Sequence, residues 1–328
     1  MKNKFFFPFL ILFILVGFFI AFKLNEIVVI KNEIKTQKSD SKIILMAVGD
    51  IMLDRGVEYM IKKEGSSDYK FPFLKIKNYL QRADILFGNL ESIISDKGYK
   101  QGSIYSFRAE PEALDGLLYA GFDIVSSANN HAFDYGTDAL KDNLKNLENA
   151  GIEHVGAGVD EIEAFALKII EAKDTKIGFL AYDLIGPRGW LASNFRPGIA
   201  FLDSDNFEKI KNDIAEAKKQ VDILAVSLHW GEEYEEEPNS TQKDQAKEIL
   251  EAGADIIIGS HPHVSEFLEK HGGNKWVAYS LGNFVFDQYF SEPTMKGNIL
   301  ELEIDEKKIK NVSYTTVNIN GFYQPELK

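Results

Sequence analysis

The sequence has no cysteine, only six histidines among its 328 residues, and no surplus of positive charge. The lack of cysteine means that no disulfide is needed, which fits a location on either side of a membrane. The formal net charge of −13 argues against nucleic-acid binding, because neutralising phosphates requires a basic surface. Hydrophobic residues make up 45% of the chain, which is enough for one large α/β domain or two small ones.

The first residues contain one long uncharged run. After Lys2 and Lys4, residues 5–22 are apolar except for Pro8 and Gly17. At about 1.5 Å per residue, a helix of this length covers roughly 27 Å, close to the hydrocarbon thickness of a bilayer. No good signal-peptidase site follows the run, so the sequence favours an uncleaved anchor over a cleaved signal peptide.

The sequence therefore predicts a cell-membrane protein with a single membrane span. Residues 1–4 form a short cytoplasmic tail, residues 5–22 a transmembrane signal-anchor, and residues 23–41 a polar stalk. The main domain is predicted to be extracytoplasmic, although lysines on both sides of the span orient it only weakly.

From residue 42 onward, short β-branched runs alternate with helix-length amphipathic segments, which is typical of an α/β domain. This domain is assigned to residues 42–290, and residues 291–328 are predicted to complete it with a β-hairpin of strands 299–304 and 309–319. The other predicted strands are 43–48, 85–87, 124–127, 177–181, 223–228, 256–259 and 276–280. The predicted helices are 73–82, 111–120, 137–150, 206–219 and 241–252.

Polar clusters follow most of these strands. In sheets whose strands run mostly parallel, the carboxyl ends converge on one edge, where ligands bind, so the clusters are expected to meet. Each cluster alone has an ordinary structural explanation, but four of the six histidines fall in them. His154 and His271 are interpreted as ordinary loop histidines. The clustered residues are Asp50, Asn89, Glu91, Asn129, Asn130, His131, His229, Ser260, His261, His263 and Asn283.

Imidazole, carboxylate and amide oxygen together suit Mn, Fe or Zn better than Ca or Mg, which prefer shells of oxygen alone. A carboxylate that bridges two ions about 3.5–4 Å apart would let them stabilise a developing negative charge together. Glu91 is the best candidate for such a bridge. The clusters therefore predict a site for one or two divalent ions.

The clusters occur in an order that resembles the CapA/PgsA poly-γ-glutamate capsule synthesis family, a branch of the calcineurin-like metallophosphatases. The resemblance covers about residues 43–287 and implies a four-layer α/β/β/α sandwich. It further implies that Asp50 and His263 hold a first metal, that Asn130, His229 and His261 hold a second, and that Glu91 bridges them. The matching motifs are Gly49-Asp50, Gly88-Asn89-Leu90-Glu91, Asn129-Asn130-His131, Leu228-His229-Trp230-Gly231, Gly259-Ser260-His261-Pro262-His263 and Ser280-Leu281-Gly282-Asn283-Phe284.

The resemblance implies that His131 is a free imidazole that protonates a leaving group or steadies an oxyanion. The sequence departs from the wider phosphatase pattern at Met52, where that pattern has histidine, and at Glu91, where it has aspartate. The first metal is thus short of one ligand, so this ion is either weakly held and exchangeable or bound by a further residue such as Asp54 or Asn89. The candidate substrate-binding residues are Asn89, Arg108 and Asn283.

Together with the predicted anchor, the resemblance implies a membrane-anchored capsule biosynthesis protein. It would act in the synthesis, export or attachment of an anionic polymer such as poly-γ-glutamate by metal-dependent hydrolysis or transfer. Two alternatives remain open: a non-enzymatic accessory subunit of a membrane synthase, and an extracytoplasmic phosphoesterase unconnected with capsule. The acidic run 232–237 would repel a polyglutamate chain, and it is interpreted as a solvated loop that faces away from the site. Trp190 is interpreted as a loop anchor.

Overall fold

The computed structural model describes residues 41–328. The predicted tail and anchor, and the stalk up to residue 40, lie outside the described residues. Among residues 41–328, no helix combines the length and the apolar character that a membrane crossing requires.

Strands and helices alternate along residues 43–328, so the predicted α/β class is confirmed. Numbered in chain order, the strands are β1 (Ile43–Ile51), β2 (Ile85–Leu90), β3 (Ile93–Ile94), β4 (Arg108–Ala109), β5 (Ile124–Ser126), β6 (Glu153–Val155), β7 (Ala157–Gly158), β8 (Lys168–Ala172), β9 (Thr175–Asp183), β10 (Gly198–Ile199), β11 (Ile223–His229), β12 (Ile256–Ser260), β13 (Leu268–His271), β14 (Lys275–Ala278), β15 (Asn283–Val285), β16 (Lys296–Asp305), β17 (Lys308–Ile319) and β18 (Pro325–Leu327). The α-helices are α1 (Arg55–Lys63), α2 (Lys77–Leu80), α3 (Ala113–Ala120), α4 (Gly136–Ala150), α5 (Glu161–Ala164), α6 (Phe207–Lys218) and α7 (Ser240–Ala252). Short 3₁₀ turns lie at Phe71–Phe73, Arg188–Trp190 and Pro293–Met295.

Two sheets carry most of the strands. The first has the order β18-β17-β16-β1-β2-β5-β6, with β15 also paired to β1. Its strands β1, β2, β5 and β6 are parallel, and β16 joins antiparallel to β1. The second sheet has the order β13-β14-β12-β11-β9-β8, in which β9, β11, β12 and β14 are parallel. Each sheet therefore has an edge where several carboxyl ends of strands lie side by side.

The two sheets pack face to face, and helices cover their outer sides. Leu45 and Phe87 of the first sheet share one apolar cluster with Phe179 of the second, and the two phenylalanine rings stack at 5.8 Å. Side chains alternate between the faces of a strand, so the neighbouring Met46 points to the other face and packs with α1, α2 and α3. Leu224 of β11 likewise packs against α6 and α7. The resulting order of layers is α/β/β/α.

Most helix ends follow the signals in the sequence. Helix α7 begins with a reciprocal capping box between Asn239 and Gln242. Helices α3 and α4 end at Gly121 and Gly151, whose φ angles of 95° and 76° are easily reached only by glycine. The prediction of one helix over residues 73–82 is wrong, because this segment forms a 3₁₀ turn with Pro72 and then the single turn of α2.

The strands extend further than the sequence predicted, and they include residues that had been assigned to the following loops. Strand β1 runs on to Ile51 and pairs Asp50 with both Asn89 and Asn283. Strand β11 ends at His229, which pairs with Ser260. These polar residues are therefore fixed by sheet hydrogen bonding rather than by loop conformation.

Two glycines allow the chain to approach these strand ends closely. A Cβ atom on Gly49 would lie 1.8 Å from the carbonyl oxygen of Gly282, and one on Gly259 would lie 1.8 Å from that of Tyr279. Both neighbours are backbone atoms within the sheets, so they cannot move aside cheaply. Glycine is thus needed immediately before Asp50 and two residues before His261.

The C-terminal strands form the predicted hairpin. Strands β16 and β17 pair along their length and are joined at Glu306 and Lys307, which have φ angles of 50° and 61°. Strand β16 also pairs with β1, and β18 pairs with β17. The hairpin therefore extends the first sheet, and it contributes no residue to the polar strand-end clusters.

Glu266 is a buried carboxyl group outside those clusters. Gln242 Nε2 donates a hydrogen bond to Glu266 Oε2 at 3.0 Å, while Oε1 has no hydrogen-bond partner among the described residues. Burial raises the pKa of Glu266 to about 7. Because the folded pKa lies above the unfolded value of about 4.3, the charged form disfavours folding. The stability that Glu266 contributes is complete below about pH 4 and is lost as the pH rises through 7.

Replacement of Glu266 by glutamine is expected to make the protein more stable than the parent at pH 7, by about 1–3 kcal/mol, and equally stable near pH 4. Glutamine keeps an acceptor for Gln242 but carries no charge at any pH. Denaturant unfolding of both proteins between pH 4 and 8 measures the difference. A stability difference between the two proteins that stays constant or grows as the pH falls would contradict the raised pKa of Glu266.

Candidate metal centre

The polar clusters meet where the carboxyl ends of both sheets lie together. Strands β1 and β2 bring in Asp50 and Asn89, and Glu91 comes directly after β2. From the second sheet, His229 is the last residue of β11, and His261 follows β12. Parallel pairing places these residues at one level, as expected from the sequence.

The innermost part of the site consists of Asp50, Glu91 and His229. Each offers one ligand atom, and these atoms all lie within 4.8 Å of one another. The Asn89 amide lies among them: its Nδ2 donates to Asp50 Oδ1 at 2.8 Å and to Glu91 Oε1 at 3.2 Å. The same nitrogen is 3.3 Å from His229 Nδ1. All four side chains are buried.

Asn130 and the Ser-His-Pro-His loop complete the surroundings of this group. The Oδ1 atom of Asn130 lies 3.0 Å from His229 Nε2. His263 Nδ1 lies 3.3 Å from Asp50 Oδ2, and the backbone N–H of His261 donates to the same oxygen at 3.3 Å. The His261 ring is 4.8 Å from that of His229 and 6.0 Å from that of His263, measured between centroids. All six predicted metal ligands are therefore near neighbours in one cluster.

The backbone of this loop is strained. His261 and His263 have φ angles of 99° and 59°, in a region that non-glycine residues rarely adopt. Such conformations cost about 1–3 kcal/mol each and persist only where the surroundings enforce them. They turn both imidazoles toward Asp50 rather than toward solvent.

Burial and neighbouring charges shift the ionisation of the cluster. Burial and the adjacent Asp50 raise the pKa of Glu91 well above its ordinary value. Burial, with the nearby His261, holds the pKa of His229 well below 6.5. Burial and His263 lower the pKa of His261 to about 3. The imidazoles of His229 and His261 are therefore neutral and have lone pairs for a metal ion, while the carboxyl groups of Asp50 and Glu91 repel each other in a dry site.

The chemistry of this group fits a divalent metal ion. Within residues 41–328, Glu91 Oε2 and His261 Nδ1 are buried atoms without a hydrogen-bond partner. Buried polar atoms are normally satisfied, and a cation would satisfy both of these and relieve the repulsion between Asp50 and Glu91. A set of carboxylate, amide and imidazole ligands suits Mn, Fe or Zn.

His131 lies beside the cluster and has a partner of its own. Its Nδ1 is 2.7 Å from Asp134 Oδ2, an oxygen that also accepts the backbone N–H of Phe107 at 2.7 Å. The His131 and Phe107 rings pack with centroids 4.1 Å apart. Asp134 thus fixes the imidazole and leaves Nε2 as the ring nitrogen for proton transfer.

A cleft of about 500 Å³ opens over the cluster and is lined by Asn130, His131 and His263. Trp190 also lines it and packs against Phe133 with ring centroids 5.2 Å apart, so it both anchors its loop and shapes the cleft. Glu233 belongs to the same lining. The interpretation that the whole acidic run faces away is therefore wrong for Glu233, while the other glutamates of the run are exposed and do not line the cleft.

Three other residues with predicted roles, Arg108, Asn283 and Asp54, do not line the cleft. The Arg108 guanidinium donates to the carbonyl of Lys97 and lies 4.2 Å from the centre of the Tyr135 ring, outside the lining of the cleft. The Oδ1 atom of Asn283 lies 3.0 Å from His263 Nδ1, so Asn283 positions an imidazole rather than facing the cleft. Asp54 caps α1 and accepts the backbone N–H of Arg108 at 2.8 Å. Both oxygens of the Asp54 carboxylate thus accept backbone hydrogen bonds.

Met52 lies at the position where the phosphatase pattern has histidine. It is buried, and its sulfur accepts the backbone N–H of Asp54 at 3.2 Å. His154 and His271 lie away from the cluster, beside Glu163 and Glu269 respectively. The first predicted metal position therefore gains no further ligand from Met52 or Asp54.

Three charged residues of the cleft were not predicted from the sequence: Arg55, Asp134 and Asp287. Asp134 follows His131 by three residues, and this spacing is a signal that the sequence contained. Arg55 and Asp287 are separated by 232 positions, and their hydrogen-bonded pairing could not be read from local pattern.

The fold and the site together define an α/β protein with a buried cluster of carboxylate, amide and imidazole groups that suits divalent metals. The chain belongs to the family described as "Bacterial capsule synthesis protein PGA_cap", whose model matches residues 44–288. The resemblance seen in the sequence is thereby confirmed.

Named relatives agree with this family. The chain is 35% identical over 253 residues to "PGA biosynthesis protein CapA" of Bacillus subtilis, a match that spans 76% of this chain and 65% of the relative. It is 32% identical over 256 residues to "Capsule biosynthesis protein CapA" of Bacillus anthracis, which spans 76% of this chain and 61% of the relative. The chain thus matches slightly less than two thirds of the length of these relatives.

A solved structure shares the fold. A hypothetical protein from Thermus thermophilus superposes with a TM-score of 0.52 at 14% identity. The match covers 84% of this chain and 98% of that protein. At this identity, the likeness concerns the fold alone.

Proposed function

We propose that the chain is a metal-dependent hydrolase or transferase that acts in the synthesis, export or attachment of an anionic capsule polymer such as poly-γ-glutamate. The observation that carries the proposal is the buried Asp50, Glu91 and His229 group, with two unsatisfied ligand atoms beside it, beneath a cleft. The capsule names of the relatives support the polymer as the biological context.

The residues of the cluster divide into two roles. Asp50, Glu91, Asn130, His229, His261 and His263 would hold one or two ions, which would supply electrostatic stabilisation of negative charge on the reacting group. His131, held by Asp134, would donate or accept the proton at the leaving group through Nε2. Two asparagines orient the metal-binding side chains: Asn89 donates hydrogen bonds to Asp50 and Glu91, and Asn283 is hydrogen-bonded to His263.

A second candidate function is that of a non-enzymatic accessory subunit whose bound metal grips carboxylates. The observation that favours it is the ligand deficit at Met52, whose sulfur is buried and engaged with backbone. This candidate requires metal binding without turnover, and His131 would then have no chemical role.

The proposal includes a membrane location. Residues 5–22 would anchor the chain, with the domain outside the cell membrane and near a polymer synthase. Attachment to the membrane would keep the cleft within reach of a polymer that emerges there.

The experiment is complementation of a strain that lacks this chain, with surface anionic polymer as the readout. Wild type is expected to restore the polymer, and a Glu91→Gln variant at equal abundance is expected to restore less than about a tenth of it. Residues 41–328 behind a cleavable signal peptide are expected to restore less than the anchored chain. Unchanged polymer in the strain that lacks the chain would contradict the capsule assignment and favour an unrelated phosphoesterase.

A further inference from the structure

The cleft contains one permanently positive side chain among the described residues that line it. This residue is Arg55, the first residue of α1. Three carboxylates, those of Asp134, Glu233 and Asp287, line the same cleft. Asp287 is paired with Arg55, so an anionic ligand is repelled mainly by Asp134 and Glu233. Within this lining, Arg55 is the side chain that can donate charged hydrogen bonds to such a ligand.

Arg55 is held in a fixed orientation. Its Nε donates to Asp287 Oδ2 at 3.1 Å, and one Nη donates to the other oxygen of the same carboxylate. Asp287 also accepts the backbone N–H of Gly56 at 2.9 Å. The φ angle of Arg55 is 52°, a strained value for a residue with a side chain. Asp287 occupies one edge of the guanidinium and leaves the other nitrogen for a ligand.

One aromatic ring lies between the Arg55 guanidinium and each of two histidines of the site. Its central carbon lies 4.8 Å from the centre of the Phe107 ring, and this ring packs against His131. The same carbon lies 6.0 Å from the Phe286 ring, which packs against His263 with centroids 4.8 Å apart. Arg55, His131 and His263 also line the same cleft, so a ligand that fills the cleft meets all three.

Much of the remaining lining is aromatic and uncharged. Phe133, Trp190, Tyr105, Tyr234 and Phe290 contribute to the walls of the cleft. Tyr105 and Phe290 are 60% and 62% exposed, an unusual degree for large aromatic side chains. Such walls favour a ligand that presents apolar or ring surfaces next to its anionic group.

We propose that Arg55 binds the anionic group of the ligand, and that the cleft takes one phosphoryl or carboxylate group at a time. The remainder of the ligand is uncharged and packs against the aromatic walls. The inference rests on the proposed function, since it assumes a ligand whose reacting group reaches the metal cluster. It narrows that function to a carrier-linked or otherwise singly charged group, because a polyanion would place further carboxylates against Asp134 and Glu233.

The test is calorimetric titration of the full-length chain in detergent, after loading with Mn²⁺, with three probes. Phenyl phosphate and phenylacetate each present one anion beside a ring, and tri-γ-glutamate presents several carboxylates without a ring. The variants are Arg55→Gln, which removes the charge, and Arg55→Lys, which keeps it without the planar fork. Arg108→Gln is the matched control, because Arg108 also lies over an aromatic ring but outside the cleft.

Phenyl phosphate is expected to bind the parent, with a Kd raised at least tenfold in Arg55→Gln, a few-fold in Arg55→Lys and not in Arg108→Gln. Comparison with phenylacetate tells which anion the cleft prefers, and tri-γ-glutamate is expected to bind no more tightly than either. Equal Kd values in the parent and Arg55→Gln, no binding of either aryl anion, or tightest binding of tri-γ-glutamate would each overturn the proposal. Melting temperatures of the variants check that the fold is intact.

The same samples separate this proposal from the proposed function. If elemental analysis finds bound metal but Arg55→Gln binds phenyl phosphate like the parent, the role of Arg55 fails and the metal centre stands. If no metal binds and Arg55→Gln still weakens phenyl phosphate binding, the metal-dependent function fails and the role of Arg55 stands.

Discussion

Replacement of Glu91 by glutamine is expected to weaken metal binding at least about 100-fold. Glu91 is buried beside Asp50 and His229, and one of its oxygens has no hydrogen-bond partner among residues 41–328. Loss of a partner that only orients a ligand already costs about 10–100-fold in metal affinity, and removal of a ligand charge costs more. Titration of the metal-free chain with Mn²⁺ measures the change.

The same variant is expected to stabilise the metal-free protein by about 1–3 kcal/mol, because an isolated pair of buried carboxyl groups is unfavourable. Because the variant binds metal weakly, added Mn²⁺ should raise the melting temperature of the parent and leave that of Glu91→Gln unchanged. Glu266→Gln is the control, since it neutralises another buried glutamate outside the cluster. Full metal affinity in Glu91→Gln would show that Glu91 is not a metal ligand.

Replacement of His131 by asparagine is expected to lower turnover by about 10²–10⁴-fold while the metal content stays the same. His131 borders the cleft and is bonded to Asp134, and it is the one imidazole of the strand-end clusters to which no metal is assigned. The measurement is metal-dependent release of product from capsule polymer or from an aryl phosphate, with elemental analysis of the same sample. A loss of turnover at unchanged metal content assigns His131 to proton transfer rather than to metal binding.

Asp134→Asn serves as the comparison, because it keeps the side-chain shape but removes the charge that orients His131 Nδ1. It is expected to lose part of the turnover and to change its pH profile, whereas a purely structural role would leave that profile unchanged. If His131→Asn binds metal and turns over like the parent, His131 has no chemical role. A parent that binds metal without any turnover points to the accessory function.

The sequence was most informative where strand order determines position. The six predicted metal ligands come from five segments that lie far apart along the chain, yet each residue lies at or just after the end of a strand in one of two parallel arrays. They are Asp50, Glu91, Asn130, His229 and the pair His261 and His263. Parallel pairing brings such residues together without any knowledge of the loops. The alternation of β-branched runs with amphipathic segments likewise predicted the α/β class without any knowledge of the loops.

The cleft was less predictable because loops and long-range pairs build it. No sequence pattern singled out Arg55, because its place in the cleft depends on Asp287 and on the ring of Phe107. Arg108 was the arginine proposed for substrate binding, but Tyr135 and the carbonyl of Lys97 take up its guanidinium. The direction of Glu233 likewise depends on how the loop after His229 folds back.

Elemental analysis of the purified full-length chain determines whether the strand-end cluster is a metal centre. After supplementation with Mn²⁺ or Zn²⁺ and removal of free metal, about one or two ions per chain are expected, with a loss in Asp50→Ala and His261→Ala. Absence of bound metal in the supplemented parent would rule out a metal centre, and the cluster would then be a buried hydrogen-bond network.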